Sequence, residues 1–270
     1  MKIIRGITEQ GDIVQAELRE DGRAFELQGD IFSDYRVTER TVNIRKLLAP
    51  VVPAQILGIG LNYRRHAAES GAPVPEFPVL FIKGPNTLQD PEEPILIPTH
   101  LQTSEVDYEA ELAVVIGRDC KNVSRDEALD FVLGYTCAND VSARDWQLKR
   151  GGGQWSRGKY FDTFCPFGPS LVVDEIDDPN SLGIRTILND EVVQDWNTND
   201  MIFDVPALIA FLSASTTLPA GTAILTGTPH GVGMAADPQR WLRSGDVVQI
   251  EIERIGVLTN PVLDEPNSSA

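Results

Sequence analysis

Short apolar runs broken by Gly, Asp and Pro dominate this chain. In residues 1 to about 50, KIIRGI, IVQAEL and RAFELQG are split by glycines and aspartates, the spacing of a small β-rich region ending at Leu47-Leu48-Ala49-Pro50. VVPAQILGIGLNY then opens a longer and more apolar stretch. Strand-like runs succeed it at PVLFIK, PILIP, YEAELAVVIG, PSLVV, IRTILN, TAILTG and DVVQIEIERIGVL. Val248, Ile250 and Ile252 alternate with Gln249, Glu251 and Glu253, so this strand should bury one face and wet the other. Helical signals are few. Ser124-Arg-Asp-Glu127 is a capping-box pattern that predicts a helix over ALDFVLGY, closed by Gly134. A second helix should start near Asp204 in DVPALIAFLSAS, with Pro206 in its first turn. Strands outnumber helices and do not alternate as βαβ units, which argues against a Rossmann fold or a TIM barrel. The expectation is a strand-dominated α+β protein, with a small β-rich N-terminal region at 1–50, a larger domain at 51–265 and a frayed tail at 266–270.

At 270 residues the chain suits one large domain or one domain with an appendage, and 42% hydrophobic with 23% charged residues is a soluble, globular mix. Forty acids against 23 bases give a net charge of −17, a surface that repels phosphate backbones and anionic lipid. Nucleic acid and membrane are therefore poor partners. Cys120, Cys137 and Cys165 are odd in number and lack CxxC spacing, which reads as reduced thiols rather than a disulfide frame or a zinc site. The N-terminal stretch has no apolar signal-like core, and no apolar run approaches the ~18 residues of a membrane span. A cytoplasmic location is the simplest expectation.

Chemistry concentrates in Glu105-Val-Asp107-Tyr-Glu109-Ala-Glu111. On one continuous strand these four acids would share a face, and burying them unpaired would cost several kcal/mol each, of order 2–7 for even a neutral polar group. Two readings stand: a solvated face, or a divalent cation neutralising two of the acids. In the second, Asp140 of Ala138-Asn139-Asp140-Val141-Ser142-Ala143-Arg144-Asp145 would supply a third carboxylate. Carboxylates without His or Cys are hard oxygen donors that suit Mg²⁺, Mn²⁺ or Ca²⁺ better than Zn²⁺.

DYEAELAVVIG, CANDVSARDWQ, GKYFDTFCPFGP and ILTGTPHGVG, in that order, resemble the successive signatures of the fumarylacetoacetate hydrolase superfamily, from about Gly58 to Pro261. The stretch Trp146–Pro169 is most similar to the domain-containing type 2 branch, for which oxaloacetate keto–enol tautomerase activity has been proposed. The resemblance implies a rolled, mixed β-sheet, usually assembled as a homodimer, with Mg²⁺ or Mn²⁺ (Ca²⁺ as a structural substitute) held by Glu109, Glu111 and Asp140. Asp107 keeps the family's acid before the tyrosine and is not read as a ligand. Asn62-Tyr-Arg-Arg-His66-Ala-Ala-Glu69 matches the motif N-Y-x-x-H-x-x-E, in which His66 and Glu69 form a proton-moving dyad; a chance i,i+3 salt bridge is the alternative. Lys159, in G-K-x-F-D, would stabilise charge on an enolate. Arg144 and Gln147 fall on substrate-orienting positions, although Arg144 could equally pair with the acidic segment. Thr228 in Thr226-Gly227-Thr228-Pro229 would face the ligand, while the surrounding glycines read as turn formers. His100 and His230 receive no catalytic role, and Lys83 before Gly84-Pro85 reads as a loop lysine rather than a substrate contact. Neither the incomplete G-x-G at Gly58 nor the threonine loop fits a nucleotide-binding motif.

Together these features imply a metal-dependent enzyme acting through an enolate on a small 2-oxo acid or β-diketo acid. Hydrolytic carbon–carbon cleavage is the default chemistry, an oxaloacetate-type tautomerase, isomerase or decarboxylase the alternative, and a metal- or ligand-binding protein of the same fold the non-enzymatic one.

Overall fold

The computed structural model describes residues 1–266; most of the expected frayed tail, 267–270, lies outside them. A twelve-stranded mixed sheet forms the body. At its centre Ala110–Ile116 lies between Val132–Asn139 and Thr222–Leu225, antiparallel to both. The sheet continues on one side through Gln55–Gly60, parallel to Thr222–Leu225, to the edge strand Val79–Lys83. On the other side it continues through Cys165–Val172 to Lys2–Thr8, Ile13–Leu18, Ala24–Gly29 and Tyr35–Val42. The N-terminal strands thus extend the main sheet, joined at Lys2 opposite Val172 and Ile3 opposite Leu171. A second sheet of five strands runs Glu191–Asn197, Gly183–Leu188, Val247–Ile252, Gly256–Asp264, Ile95–Ile97.

Every residue of Ala110–Ile116 is buried, and its pleat splits the core. Leu112, Val114 and Ile116 pack with Ile184, Val248, Ile250 and Ile252 of the second sheet. Ala113 and Val115 join Ile56, Phe167, Leu171 and Ala223 on the opposite face. A strand covered on both faces reads as a continuous apolar run, and each large aliphatic side chain so buried contributes roughly 1.5–3 kcal/mol. The run ELAVVI therefore anchors the acids that precede it. Val248, Ile250 and Ile252 are buried as their alternation predicts.

The helix at Val205–Ser213 forms as read, with the Asp204 side chain accepting from the Ala207 N–H at 3.0 Å. The one predicted over ALDFVLGY does not. Ser124 Oγ does bond Glu127 Oε2 at 2.6 Å, but only a short 3₁₀ turn, Ala128–Phe131, intervenes before the chain enters Val132–Asn139. Gly134 lies inside that strand, where a Cβ would sit 2.4 Å from the Val172 carbonyl oxygen. It serves close strand approach, not a helix end. No helix among the described residues is long and apolar enough to cross a membrane.

Candidate active site

The acidic segment does not run as a single stripe. Val106–Asp107 pairs with Ser142–Ala143 as a separate ribbon, and the chain passes through Tyr108 and Glu109 before entering the central strand. Glu105 turns outward to Lys149 at 2.6 Å, while Asp107, Glu109 and Glu111 are buried. The break relieves the repulsion of four acids on one face by sending them to different partners.

Glu109, Glu111 and Asp140 each present a carboxylate oxygen, all within 4.8 Å of one another. Strand pairing brings them together: Ala110 lies opposite Asn139, the Asp140 N–H donates to the Glu109 carbonyl at 2.9 Å, and the Glu109 N–H donates to Asn139 Oδ1 at 3.0 Å. Lys159, from the short helix Ser156–Lys159, donates to Glu109 Oε2 at 2.9 Å, Asp140 Oδ2 at 2.5 Å and Ser142 Oγ at 2.7 Å. Lys83 is not the loop lysine expected. The alternation of Val79–Lys83 turns Phe81 and Lys83 inward, and the ammonium donates to Asp140 Oδ1 at 2.7 Å and to the Val141 carbonyl at 3.3 Å.

Arg144 directly follows the ribbon strand Ser142–Ala143, and its side chain meets Asp107. Its Nε donates to Asp107 Oδ2 at 2.8 Å and its Nη1 to Gln147 Oε1 at 2.9 Å. Its Nη2 is in ion-pair contact with Glu109 Oε1 at 2.7 Å, without the alignment of a hydrogen bond. Arg144 thus pairs with the acidic segment and also lines the cavity described below. Gln147 sits in a wide π-helical turn, Asp145–Arg150.

His66 and Glu69 share a face of the helix Arg64–Glu69, with His66 Nδ1 2.8 Å from Glu69 Oε1. That contact orients the ring and leaves Nε2 for the cavity. Asn62 anchors the helix: its amide donates to the carbonyls of Thr226 at 2.7 Å and Phe203 at 2.9 Å. This anchoring was invisible in the sequence beyond the asparagine's place in the motif.

The loop Thr226–Met234 does more than turn. Its backbone N–H groups bind three of the site's carboxylates: Gly227 to Glu111 Oε2 at 2.6 Å, Gly231 to Glu69 Oε2 at 2.9 Å, and Gly233 and Met234 to Asp107 at 2.7 and 3.0 Å. Gly227 has φ +96°, and a Cβ there would lie 2.7 Å from that of Asn62. Only glycine fits such a conformation so close to a neighbour.

At the site Asp107, Glu109, Glu111 and Asp140 face Lys83, Arg144 and Lys159, four buried carboxylates against three buried cations. The excess falls on Glu111. Burial pushes its carboxyl well above the usual range, and the nearby Asp140 and Glu109 push it further. Burial acts the same way on Glu109, but Lys159, Arg144 and His66 outweigh it and hold that carboxyl below its ordinary value. Burial alone would lower the Lys159 pKa; Asp140 and Glu109 reverse this and raise it. Three hard oxygens with one charge unbalanced are a fitting donor set for a divalent cation of the Mg²⁺ or Mn²⁺ kind.

These groups open on a cavity of about 190 Å³. His66, Glu109, Glu111, Arg144, Gln147, Lys159 and Thr228 all line it; Asp140 and Glu69 stand behind, against Lys159 and His66. The remaining wall is largely apolar, from Ile59, Leu61, Ala72, Leu148, Trp155 and Met234. His100 and His230 do not line the cavity.

Residues 55–263 match the family model described as fumarylacetoacetate (FAA) hydrolase C-terminal. A mitochondrial oxaloacetate tautomerase of Xenopus laevis is 51% identical over 219 residues, spanning 80% of this chain and 68% of the relative. The crystal structure of a 5-carboxymethyl-2-hydroxymuconate delta-isomerase from Mycobacterium smegmatis superposes with a TM-score of 0.85 at 39% identity, over 98% of this chain and 100% of that one. That of a 2-hydroxyhepta-2,4-diene-1,7-dioate isomerase from Mycobacterium marinum gives 0.83 at 40% identity, over 99% and 100%. With the family model matched across most of its length and a type 2 homolog from Dictyostelium discoideum 46% identical over 227 residues, the chain is an enzyme of the fumarylacetoacetate hydrolase family, in the branch of its domain-containing type 2 proteins.

Proposed function

We propose that this enzyme is a divalent-metal-dependent keto–enol tautomerase of a small 2-oxo dicarboxylic acid of the oxaloacetate type. The observation that carries the proposal is the meeting, in one cavity, of a hard-oxygen cluster and a carboxylate-oriented histidine. Hydrolysis, the default expected from sequence, is less well supported, because these relatives carry tautomerase and isomerase names.

Bound on Glu109, Glu111 and Asp140, a divalent cation would polarise the substrate's keto group and acidify the adjacent carbon. The protein's own groups then account for proton movement. His66, its Nδ1 held by Glu69, offers Nε2 to take the proton from the carbon next to the carbonyl, and the carboxylate supports the charged ring. Returning that proton to the oxygen gives the enol, so one C–H bond breaks, one O–H bond forms and nothing is consumed. Lys159, kept charged by its two carboxylates, is the fixed cation for the negative charge that develops on oxygen.

The test is NMR of oxaloacetate in D₂O with Mg²⁺ or Mn²⁺ and an EDTA control, corrected for metal-catalysed decay. Deuterium entering the methylene without new fragments supports tautomerisation. New acid fragments from a β-diketo acid would establish hydrolysis instead, and enzyme-dependent pyruvate with CO₂ would establish decarboxylation.

A further inference from the structure

Gln194 lies in Glu191–Asn197 of the second sheet, outside the motifs quoted above, yet it is 1% exposed and its amide is fully engaged. Oε1 accepts from the Ala110 N–H at 3.0 Å and from Thr186 Oγ1 at 2.6 Å. Nε2 donates to Thr228 Oγ1 at 2.9 Å and to the Pro229 carbonyl at 2.8 Å. The orientation admits no flip: a backbone N–H can only donate and a carbonyl can only accept, so the amide oxygen must face Ala110 and the nitrogen Pro229. Thr228 therefore receives a hydrogen from Gln194 and must aim its own elsewhere. Among the described residues its hydroxyl bonds to nothing but Gln194, and Thr228 lines the cavity. Ala110, the amide's other anchor, sits between Glu109 and Glu111.

We infer that Gln194 is a positioning residue that makes the Thr228 hydroxyl an obligate hydrogen-bond donor to a substrate oxygen and ties its loop to the carboxylate strand. The inference rests on the oxo-acid reading of the cavity. A substrate presenting a carboxylate or carbonyl at this wall is held, and one presenting a donor group there is refused.

Gln194→Glu keeps the shape and reverses the polarity: the carboxylate can only accept, so Thr228 turns its hydrogen inward. The experiment measures oxalate binding with Mg²⁺ by calorimetry, and kcat and KM for oxaloacetate tautomerisation, in the wild type, Gln194→Glu, Thr228→Val, Thr228→Ser and the Gln194→Glu/Thr228→Val double variant. Gln194→Glu and Thr228→Val should each weaken oxalate and raise KM by about threefold to tenfold, the size of one hydrogen bond, with kcat changed less. Thr228→Ser should bind as the wild type does, and the double variant no worse than Thr228→Val alone. Full additivity of the two changes, or unchanged binding in Thr228→Val, overturns the inference. Should Gln194→Glu fail to fold, the side-chain amide resonance of Gln194 decides: one of its two protons must shift in Thr228→Val, and no shift overturns the claim. A wild type that binds oxalate without tautomerising oxaloacetate sinks the tautomerase reading alone; one that binds no oxalate sinks both.

Discussion

Two carboxylate–ammonium pairs start four residues apart in this chain and could hardly differ more. Glu105 meets Lys149 at 2.6 Å with the lysine 62% exposed, whereas Glu109 meets Lys159 at 2.9 Å with the lysine 2% exposed. Distance alone would rank the first as stronger. In water the outer pair gains little, because solvent already satisfies both charges; exposed pairs contribute about 0–1 kcal/mol. Inside, neither partner has water to fall back on, so each is committed to the other and to its charge. The same chemistry is decoration at the surface and machinery in the core.

Asp140→Ala challenges this contrast most severely. It removes a proposed cation ligand, takes from Lys83 the carboxylate it bonds and leaves Lys159 with Glu109 as its one acidic partner. Turnover and Mn²⁺ binding should disappear by activity assay and calorimetry, and urea unfolding should show a loss of about 3–5 kcal/mol, as for a broken buried pair. Next in size is His66→Ala, which should lower kcat by about 10²–10⁴-fold with a smaller change in KM, the range for a lost acid–base group. Steady-state kinetics checks both, and an unchanged kcat would remove the His66–Glu69 pair from the mechanism.

A third prediction concerns pH. Burial, then Asp140 and Glu109, raise the Glu111 carboxyl, so the folded protein keeps a proton that the unfolded chain gives up earlier. Stability without metal should therefore fall as pH rises above the ordinary glutamate range. A cation that displaces this proton should raise the melting temperature more at pH ~8 than at pH ~6. Thermal scans with Mn²⁺ or EDTA at both pH values decide it. The smallest effect belongs to the outer pair: Glu105→Gln should change stability by less than about 1 kcal/mol and leave kcat intact. A larger loss would show that the surface pair also holds the site.

The sequence displayed the sheet strands well where burial was one-sided or complete, as at Val248–Ile252 and Ala110–Ile116, because periodicity reports directly which faces are covered. It misled at Ala128–Gly134. There Ser124 and Glu127 bond each other instead of capping backbone N–H groups, and Gly134 is taken up by the strand, where the Val172 carbonyl leaves no room for a side chain. In the site, residues carrying motif chemistry were legible. Their supports were not: Lys83 looks like a loop lysine until the edge strand turns it inward, and Gln194 reaches Ala110 only because two sheets meet. Long-range packing of this kind leaves no spacing to read.

The backbone of Thr226–Met234 fastens Glu69, Glu111 and Asp107 at once. The groups proposed for proton transfer and cation binding, and the Arg144–Asp107 pair, thus share one splint. A one-residue insertion there would not dim a single step but misalign all three together, so tolerance to length change should be lowest in this largely buried segment.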